Sequence, residues 1–182
     1  TSYTLVSASV SNYFTELRTD VEGAYYGFYF MDVANYYARE GNDETELLKL
    51  LYQTLRALTK ENIPNRLVRC IFELKAVCIS GEAPQLMECV TCGDKEREKV
   101  FSAEAGGLVC TSCRHRVTDG ITLLPSTLYA MQYIAASPVE KLYTFAVTEE
   151  VLVELETAVG KYAAVHMDKS FKSLEILETI VQ

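Results

Sequence analysis

The chain has 182 residues, 49% of them hydrophobic, which is enough for one good-sized domain with a packed core. Its 25 acidic and 17 basic residues give a net charge of −8, whereas a freestanding nucleic-acid-binding protein usually carries a basic excess. No apolar run reaches the length that crosses a bilayer, and no signal peptide begins the sequence. We therefore expect a cytoplasmic protein without membrane contact, in a reducing environment where structural disulfides are rare.

The first fourteen residues, TSYTLVSASVSNYF, are rich in β-branched and aromatic side chains that loosely alternate with polar ones, which predicts one strand. This strand has no partner ahead of the first helix, and the sequence begins at Thr1 rather than at a methionine. We interpret residues 1–14 as the last piece of an upstream domain, and residues 15–182 as a second domain.

Three helices are predicted next. Apolar residues recur at helical spacing over 17–40 on two separate stripes, which predicts a central helix that is buried on two sides. The second helix follows the capping residues Asn42 and Asp43. The third begins after Pro64 and ends at Gly81, in agreement with the usual preference for proline at a helix start and glycine at its end.

Two cysteines, Cys70 and Cys78, lie on the apolar face of the third helix. Eight helical residues separate them by roughly 12 Å along the axis, whereas a disulfide needs Cα atoms within about 7 Å. We therefore predict that both are free cysteines in the core, where they act as small hydrophobic residues.

The remaining helices are predicted over 125–137, as a short turn over 138–143, and after Thr148, which is suited to cap a longer helix. Gly160 inside that helix predicts a close contact between helices. The tail KSFKSLEILETIV is short and amphipathic. The predicted fold is mainly α: a helical bundle interrupted by a small β insert over about 86–119.

The insert contains the stretch CVTCGDKEREKVFSAEAGGLVCTSC, in which two C-x-x-C pairs are separated by seventeen residues. This spacing is typical of four-cysteine zinc sites, because each pair forms a tight turn that supplies two thiolates to a tetrahedron. Gly93 allows the first turn to fold back, and the residues between the pairs predict a hairpin that turns near 105–107. We predict a zinc ribbon whose ligands are Cys89, Cys92, Cys110 and Cys113.

Other chemistry is compatible with four thiolates. Iron occupies sites of the same shape, so the spacing alone does not select the metal. A redox dithiol would need a C-x-x-C pair at the start of a helix in a β-α-β unit, and that setting is missing. Because four cysteines leave no open coordination position, we expect a structural Zn²⁺, with the neighbouring His115 at the surface.

The sequence offers no arrangement typical of catalysis. It has only two histidines, His115 and His166, and it has neither a phosphate-binding glycine loop nor a G-x-S-x-G motif. Its acidic residues fall on the solvent faces of the predicted helices. We expect a protein that is not an enzyme.

Four segments together resemble the C-terminal part of the RecO family, bacterial recombination mediators that act in DNA repair. They span residues 17–177 and include the cysteine block with its glycine-rich approach, which is the most specific part. In chain order they are LRTDVEGAYYGFYFMDV, RCIFELKAVCISGEAPQLMECVTCG, VFSAEAGGLVCTSC and KSFKSLEIL.

The resemblance implies an N-terminal OB-fold (oligonucleotide/oligosaccharide-binding fold) that contacts single- and double-stranded DNA, of which residues 1–14 would be a remnant strand. It also implies two protein partners, RecR and single-stranded DNA-binding protein, and a role in strand annealing and RecA loading near the nucleoid, without catalysis. Two alternatives remain: a zinc-ribbon adaptor of transcription or translation, and an iron-bearing electron carrier.

The basic residues are candidates for DNA contact, although residues 86–119 hold five bases against six acids and so do not form a uniformly basic finger. The alternative is that these side chains are ordinary solvated bases. The candidates are Lys95, Arg97, Lys99, Arg114, Arg116, Arg66 and Arg69.

Overall fold

The computed structural model describes residue 4 and residues 6–180. In this part of the chain six α-helices and one two-stranded antiparallel sheet are formed, as the sequence predicts. The helices are α1 (Val21–Tyr37), α2 (Thr45–Leu58), α3 (Asn65–Ile79), α4 (Pro125–Ala136), α5 (Glu149–His166) and α6 (Lys172–Ile180). The strands are β1 (Lys99–Ser102) and β2 (Gly107–Cys110).

Helix α3 is the centre of the bundle, because it packs against α1, α2, α4 and α5. Nine of its residues are buried, including Phe72, Leu74 and Val77. The prediction of free core cysteines on this helix is confirmed, since Cys70 is buried, Cys78 is half-buried and neither forms a disulfide.

Helix α1 begins at the side chain of Asp20, which accepts a hydrogen bond from the backbone N–H of Gly23 at 3.0 Å. The prediction that α1 is buried on two sides is wrong. The stripe that contains Phe30 is buried, but Phe28 and Met31 on the other stripe are 53% and 44% exposed. The aromatic residues make both faces of the helix apolar, but among the described residues only one face packs against neighbouring helices.

Helix α5 begins as predicted, with the Thr148 side chain accepting a hydrogen bond from the backbone N–H of Val151. The prediction for Gly160 is wrong, because a Cβ added there would have nothing within 4 Å. The glycine therefore does not mark a close contact between helices.

The predicted N-terminal strand lies partly outside the described residues, at positions 1–3 and 5. Residue 4 and residues 6–14 form no strand in the structure, and Val6 and Val10 are exposed. A strand needs a partner for its backbone hydrogen bonds, and the described residues supply none to this segment. Its assignment to an upstream OB-fold stays a prediction.

In the part of the chain that the structure describes, no helix combines the length and the apolar character that a membrane span requires.

Candidate metal centre

The first cysteine pair forms a tight turn that is fixed by backbone hydrogen bonds. The N–H of Gly93 donates to the carbonyl oxygen of Cys89 at 2.8 Å, and the N–H of Cys89 donates to that of Asp94 at 2.9 Å. Gly93 has a φ of +72°, which is the left-handed conformation that glycine adopts without strain. The turn therefore directs Cys89 and Cys92 to the same side of the chain.

The second pair begins at the last residue of β2, so the sheet positions it directly. The N–H of Cys113 donates to the carbonyl oxygen of Cys110 at 2.9 Å, which closes a second tight turn. The two turns are joined by the N–H of Cys110, which donates to Cys89 Sγ at 3.3 Å. The N–H of Val90 also donates to the carbonyl oxygen of Leu108 in β2, at 2.8 Å.

The four Sγ atoms all lie within 4.8 Å of one another. A tetrahedral ion with metal–sulfur bonds of about 2.3 Å places its sulfurs about 3.8 Å apart, and the Cys92–Cys110 Sγ distance is 3.6 Å. A disulfide would need about 2.05 Å, and all four cysteines are free. The donor set and its spacing therefore fit one tetrahedral thiolate-bound ion.

The surroundings of the sulfurs favour ionisation of some thiols and oppose that of others. Burial opposes ionisation of Cys89, but backbone N–H groups, including that of Cys110, outweigh it and lower its pKa to about 6. Burial and the neighbouring sulfurs raise the pKa of Cys113 to about 12. All four thiols do not ionise together without a cation, because four neighbouring thiolates repel one another. A bound divalent cation offsets this repulsion and favours the thiolate form of all four.

A four-thiolate site can brace a fold but cannot activate water, because it has no open coordination position. Zinc and iron both suit four thiolates. Among the described residues no other cluster of histidine, cysteine or carboxylate groups converges in this way. His115 is exposed and lies outside the cluster.

The hairpin contributes side chains to two separate buried clusters, the core of the helical bundle and the cluster around the cysteines. In the β1–β2 register Phe101 pairs with Leu108, and Val100 pairs with Val109. Phe101 and Leu108 are buried in the core of the helical bundle, whereas Val109 is buried among the cysteines. The ring centroid of Phe101 lies 5.8 Å from that of Tyr162 on α5.

The segments immediately before and after the cysteine insert also form backbone bridges to the hairpin. Gln85 forms a parallel bridge to Gly107, and Ile121 forms an antiparallel bridge to Phe101. Gly107 is required here because a Cβ would lie 2.3 Å from the carbonyl oxygen of Gln85. Gln132 on α4 donates to the carbonyl oxygen of Leu86 at 2.7 Å, which ties this segment to the bundle.

The predicted DNA-contact residues of the insert are held in different ways. Arg114 is half-buried and donates to the carbonyl oxygens of Val117 and Gly120, which gives it a local structural role. Lys99 donates to two carbonyl oxygens of the turn before β1, those of Lys95 and Arg97. Arg97 lies 3.3 Å from the carboxylate of Asp94, and Lys95 lies 3.7 Å from that of Glu88. Arg116 is exposed, and its side chain has no ion-pair or hydrogen-bond partner within the described residues.

The other two predicted DNA-contact residues, Arg66 and Arg69, lie on α3 and are ion-paired, Arg66 with α5 and Arg69 with Glu73 on α3 itself. Arg66 contacts Glu149 at 2.7 Å and Glu156 at 2.5 Å, both on α5. Arg69 donates to Glu73 at 2.8 Å. These carboxylates offset the charge that either arginine would offer to a phosphate.

A buried network surrounds Glu73, whose side chain is 3% exposed, and it was not predicted from the sequence. Its carboxylate accepts hydrogen bonds from the hydroxyl of Tyr29 at 2.6 Å and from Nε of Arg69 at 2.8 Å. The sequence does contain one indication of this network, a glutamate within the apolar stretch of α3. A carboxylate buried there requires a charged or hydrogen-bonding partner.

Comparisons with known proteins agree with this architecture. The model of the family described as "Recombination protein O C terminal" matches residues 18–175. The DNA repair protein RecO of Alkaliphilus metalliredigens is 31% identical over 180 residues, which cover 98% of this chain and 73% of that protein. The DNA repair protein RecO of Acetivibrio thermocellus is 28% identical over 180 residues, which cover 98% of this chain and 71% of that protein.

Proposed function

Because the chain belongs to the RecO family of DNA repair proteins, we propose that it is the helical part of a non-enzymatic recombination mediator. It supports annealing of complementary strands and loading of RecA through contacts with RecR, single-stranded DNA-binding protein and DNA, in the cytoplasm near the nucleoid. The observation that carries this proposal is the family match over residues 18–175, which includes the helices and the cysteine insert.

Within this function the role of the cysteine insert is structural. Cys89, Cys92, Cys110 and Cys113 would hold Zn²⁺, and the bound ion would supply folding free energy to a hairpin too small to bury a core of its own. Phe101 and Leu108 attach the hairpin to the helical bundle by packing in its core. The hydrogen-bonded turns of the two cysteine pairs orient the sulfur atoms.

DNA binding by this chain alone is proposed to be weak, with most of the affinity in an upstream OB-fold. The net charge of −8 and the internal ion pairs of Arg66 and Arg69 support this. Among the predicted contacts Arg116 is the best candidate, because it is exposed and has no partner among the described residues.

The test of the proposal is a strand-annealing and pull-down experiment with purified RecR and single-stranded DNA-binding protein. We expect the 182-residue chain to retain at least one of these proteins. Retention of neither, together with recovery of RNA polymerase or ribosomal proteins in a parallel pull-down from a bacterial lysate, would favour the adaptor function instead.

DNA contact is tested separately by fluorescence anisotropy with a single-stranded oligonucleotide at low salt. Arg116→Gln is expected to weaken the residual binding, and Arg66→Gln serves as the ion-paired control that leaves it unchanged. Equal weakening by both variants would show only general charge attraction and would contradict a specific contact at Arg116.

A further inference from the structure

A cavity of about 540 Å³ lies where three helices end. We call it the helix-end cavity. Its lining includes Tyr37 at the end of α1, Ile79 at the end of α3 and His166 at the end of α5, together with residues at the start of α2. Its volume falls within the range of sites that bind small molecules or single side chains.

The helix-end cavity contains polar atoms that the protein does not pair. Among the described residues only two buried side-chain polar atoms lack a hydrogen-bond partner, Tyr37 Oη and His166 Nε2, and both belong to residues of this lining. Ser80, also in the lining, already donates its hydroxyl proton to the carbonyl oxygen of Val77 at 2.7 Å. A buried polar atom without a partner is costly to the folded protein, so the two atoms are candidates for contact with a ligand.

The unpaired atoms offer acceptors to a ligand. Glu82 Oε2 lies 3.7 Å from His166 Nδ1. In the neutral imidazole with its proton on Nδ1, the unpaired Nε2 is an acceptor. The hydroxyl oxygen of Tyr37 also accepts, and burial raises the pKa of this group, so the phenol stays neutral. The Glu82 side chain is 47% exposed, so its carboxylate can accept further hydrogen bonds.

The electrostatic field in the cavity favours a cation. Each helix C-terminus carries a partial negative charge on its free carbonyl groups, and three such ends meet here. The N-terminus of α2 also faces the cavity and carries a partial positive charge, which is offset by acidic residues in and before the first turn of that helix. The charged residues of the lining are one arginine and four acids: Arg39, Asp43, Glu44, Glu46 and Glu82.

We propose that the helix-end cavity binds a guanidinium or ammonium group, as carried by an arginine or lysine side chain of a partner protein. Such a group supplies several N–H donors to the acceptors of Tyr37, His166 and Glu82. The rings of Tyr36 and Tyr37 add an aromatic surface of the kind that attracts organic cations. A metal ion is disfavoured, because the described residues place no three histidine or carboxylate ligand atoms together here.

The proposal is tested by following the backbone amide NMR signals of the 182-residue chain during titration with N-acetyl-argininamide. The neutral isostere N-acetyl-citrullinamide is the matched control. We expect saturable shifts at Tyr37, Ser80 and His166 with the arginine compound only. Absence of these shifts, or equal shifts with the citrulline compound, overturns the proposal. Saturable binding of spermidine without binding of the arginine compound would overturn the assignment to a protein side chain.

Three variants locate the contact. Glu82→Gln is expected to weaken binding about tenfold, which corresponds to about 1.4 kcal/mol. Tyr37→Phe should weaken it about threefold without lowering the stability of the free protein, because it removes a hydroxyl that has no partner. Glu150→Gln, an exposed acid on α5, should change nothing. A loss in Glu150→Gln equal to that in Glu82→Gln would show only general charge attraction and would refute the site.

Discussion

Phe101 connects the cysteine insert to the helical bundle, and its truncation tests whether the two form one cooperative unit. The side chain is fully buried and packs against Tyr162 of α5. Its backbone is fixed on the other side by two hydrogen bonds with Ile121, at 2.8 and 2.7 Å. Because neighbouring segments are held in this way, the site has little freedom to collapse around a smaller residue.

Phe101→Ala should therefore cost close to the usual value for a rigid core position, about 3–5 kcal/mol. A domain of this size has a total stability of about 5–15 kcal/mol, so the loss is a large fraction. At about 2–4 °C for each kcal/mol, the melting temperature should fall by roughly 10 °C. Release of bound zinc to a chromophoric chelator should also become faster, because the hairpin opens more often.

The measurement is urea unfolding of the zinc-saturated protein, followed by far-ultraviolet circular dichroism. Phe28→Ala is the control, since Phe28 is the same residue type on α1 but is 53% exposed. The control should lose less than about 1 kcal/mol. Equal losses in the two variants would mean that the insert is not part of the core of the bundle, and the reasoning would be refuted.

Three further changes test other parts of the structure. Glu73→Gln removes the charge that pairs with Arg69 and should lower the free energy of unfolding by about 2–3 kcal/mol in urea; no change would contradict the role of this network. Gly160→Ala should raise it by about 0.5–1 kcal/mol, because a helical glycine with open space around it gains from a methyl group; a loss in a thermal scan would contradict this. Zinc binding at pH 7 should release about two protons, since the pKa values of Cys92 and Cys113 are raised and both thiols are protonated before binding. Zinc affinity should therefore increase with pH, and calorimetry in buffers of different ionisation enthalpy that finds no proton release would contradict this.

The element order and the convergence of the four cysteines could be predicted from the sequence, because both depend on local patterns. Helical periodicity and the caps at Thr148 and Pro64 place helix starts within a few residues. The spacing of the C-x-x-C pairs requires two short turns joined by a hairpin, and the structure contains both turns. The cysteine geometry supports a metal site, whereas the identity of the metal stays a proposal.

The remaining features depend on which surfaces meet in three dimensions. The apolar pattern of α1 could not tell that Phe30 is buried while Phe28 is exposed, because that depends on where α2, α3 and α6 lie. The pairing of Arg66 with α5, about ninety residues later in the chain, is invisible to local spacing. The same is true of the helix-end cavity, which joins the ends of helices that are distant in sequence.

The most direct test of this account is the metal content of the purified, reduced 182-residue chain by elemental analysis, with Cys110→Ser as the matched variant. We expect about one zinc per chain, with less in the variant, together with loss of the protected amides of β1 and β2 when the ion is removed. A chain that carries no metal and still protects those amides from hydrogen exchange would contradict the claim that four thiolates around one ion hold the hairpin in place.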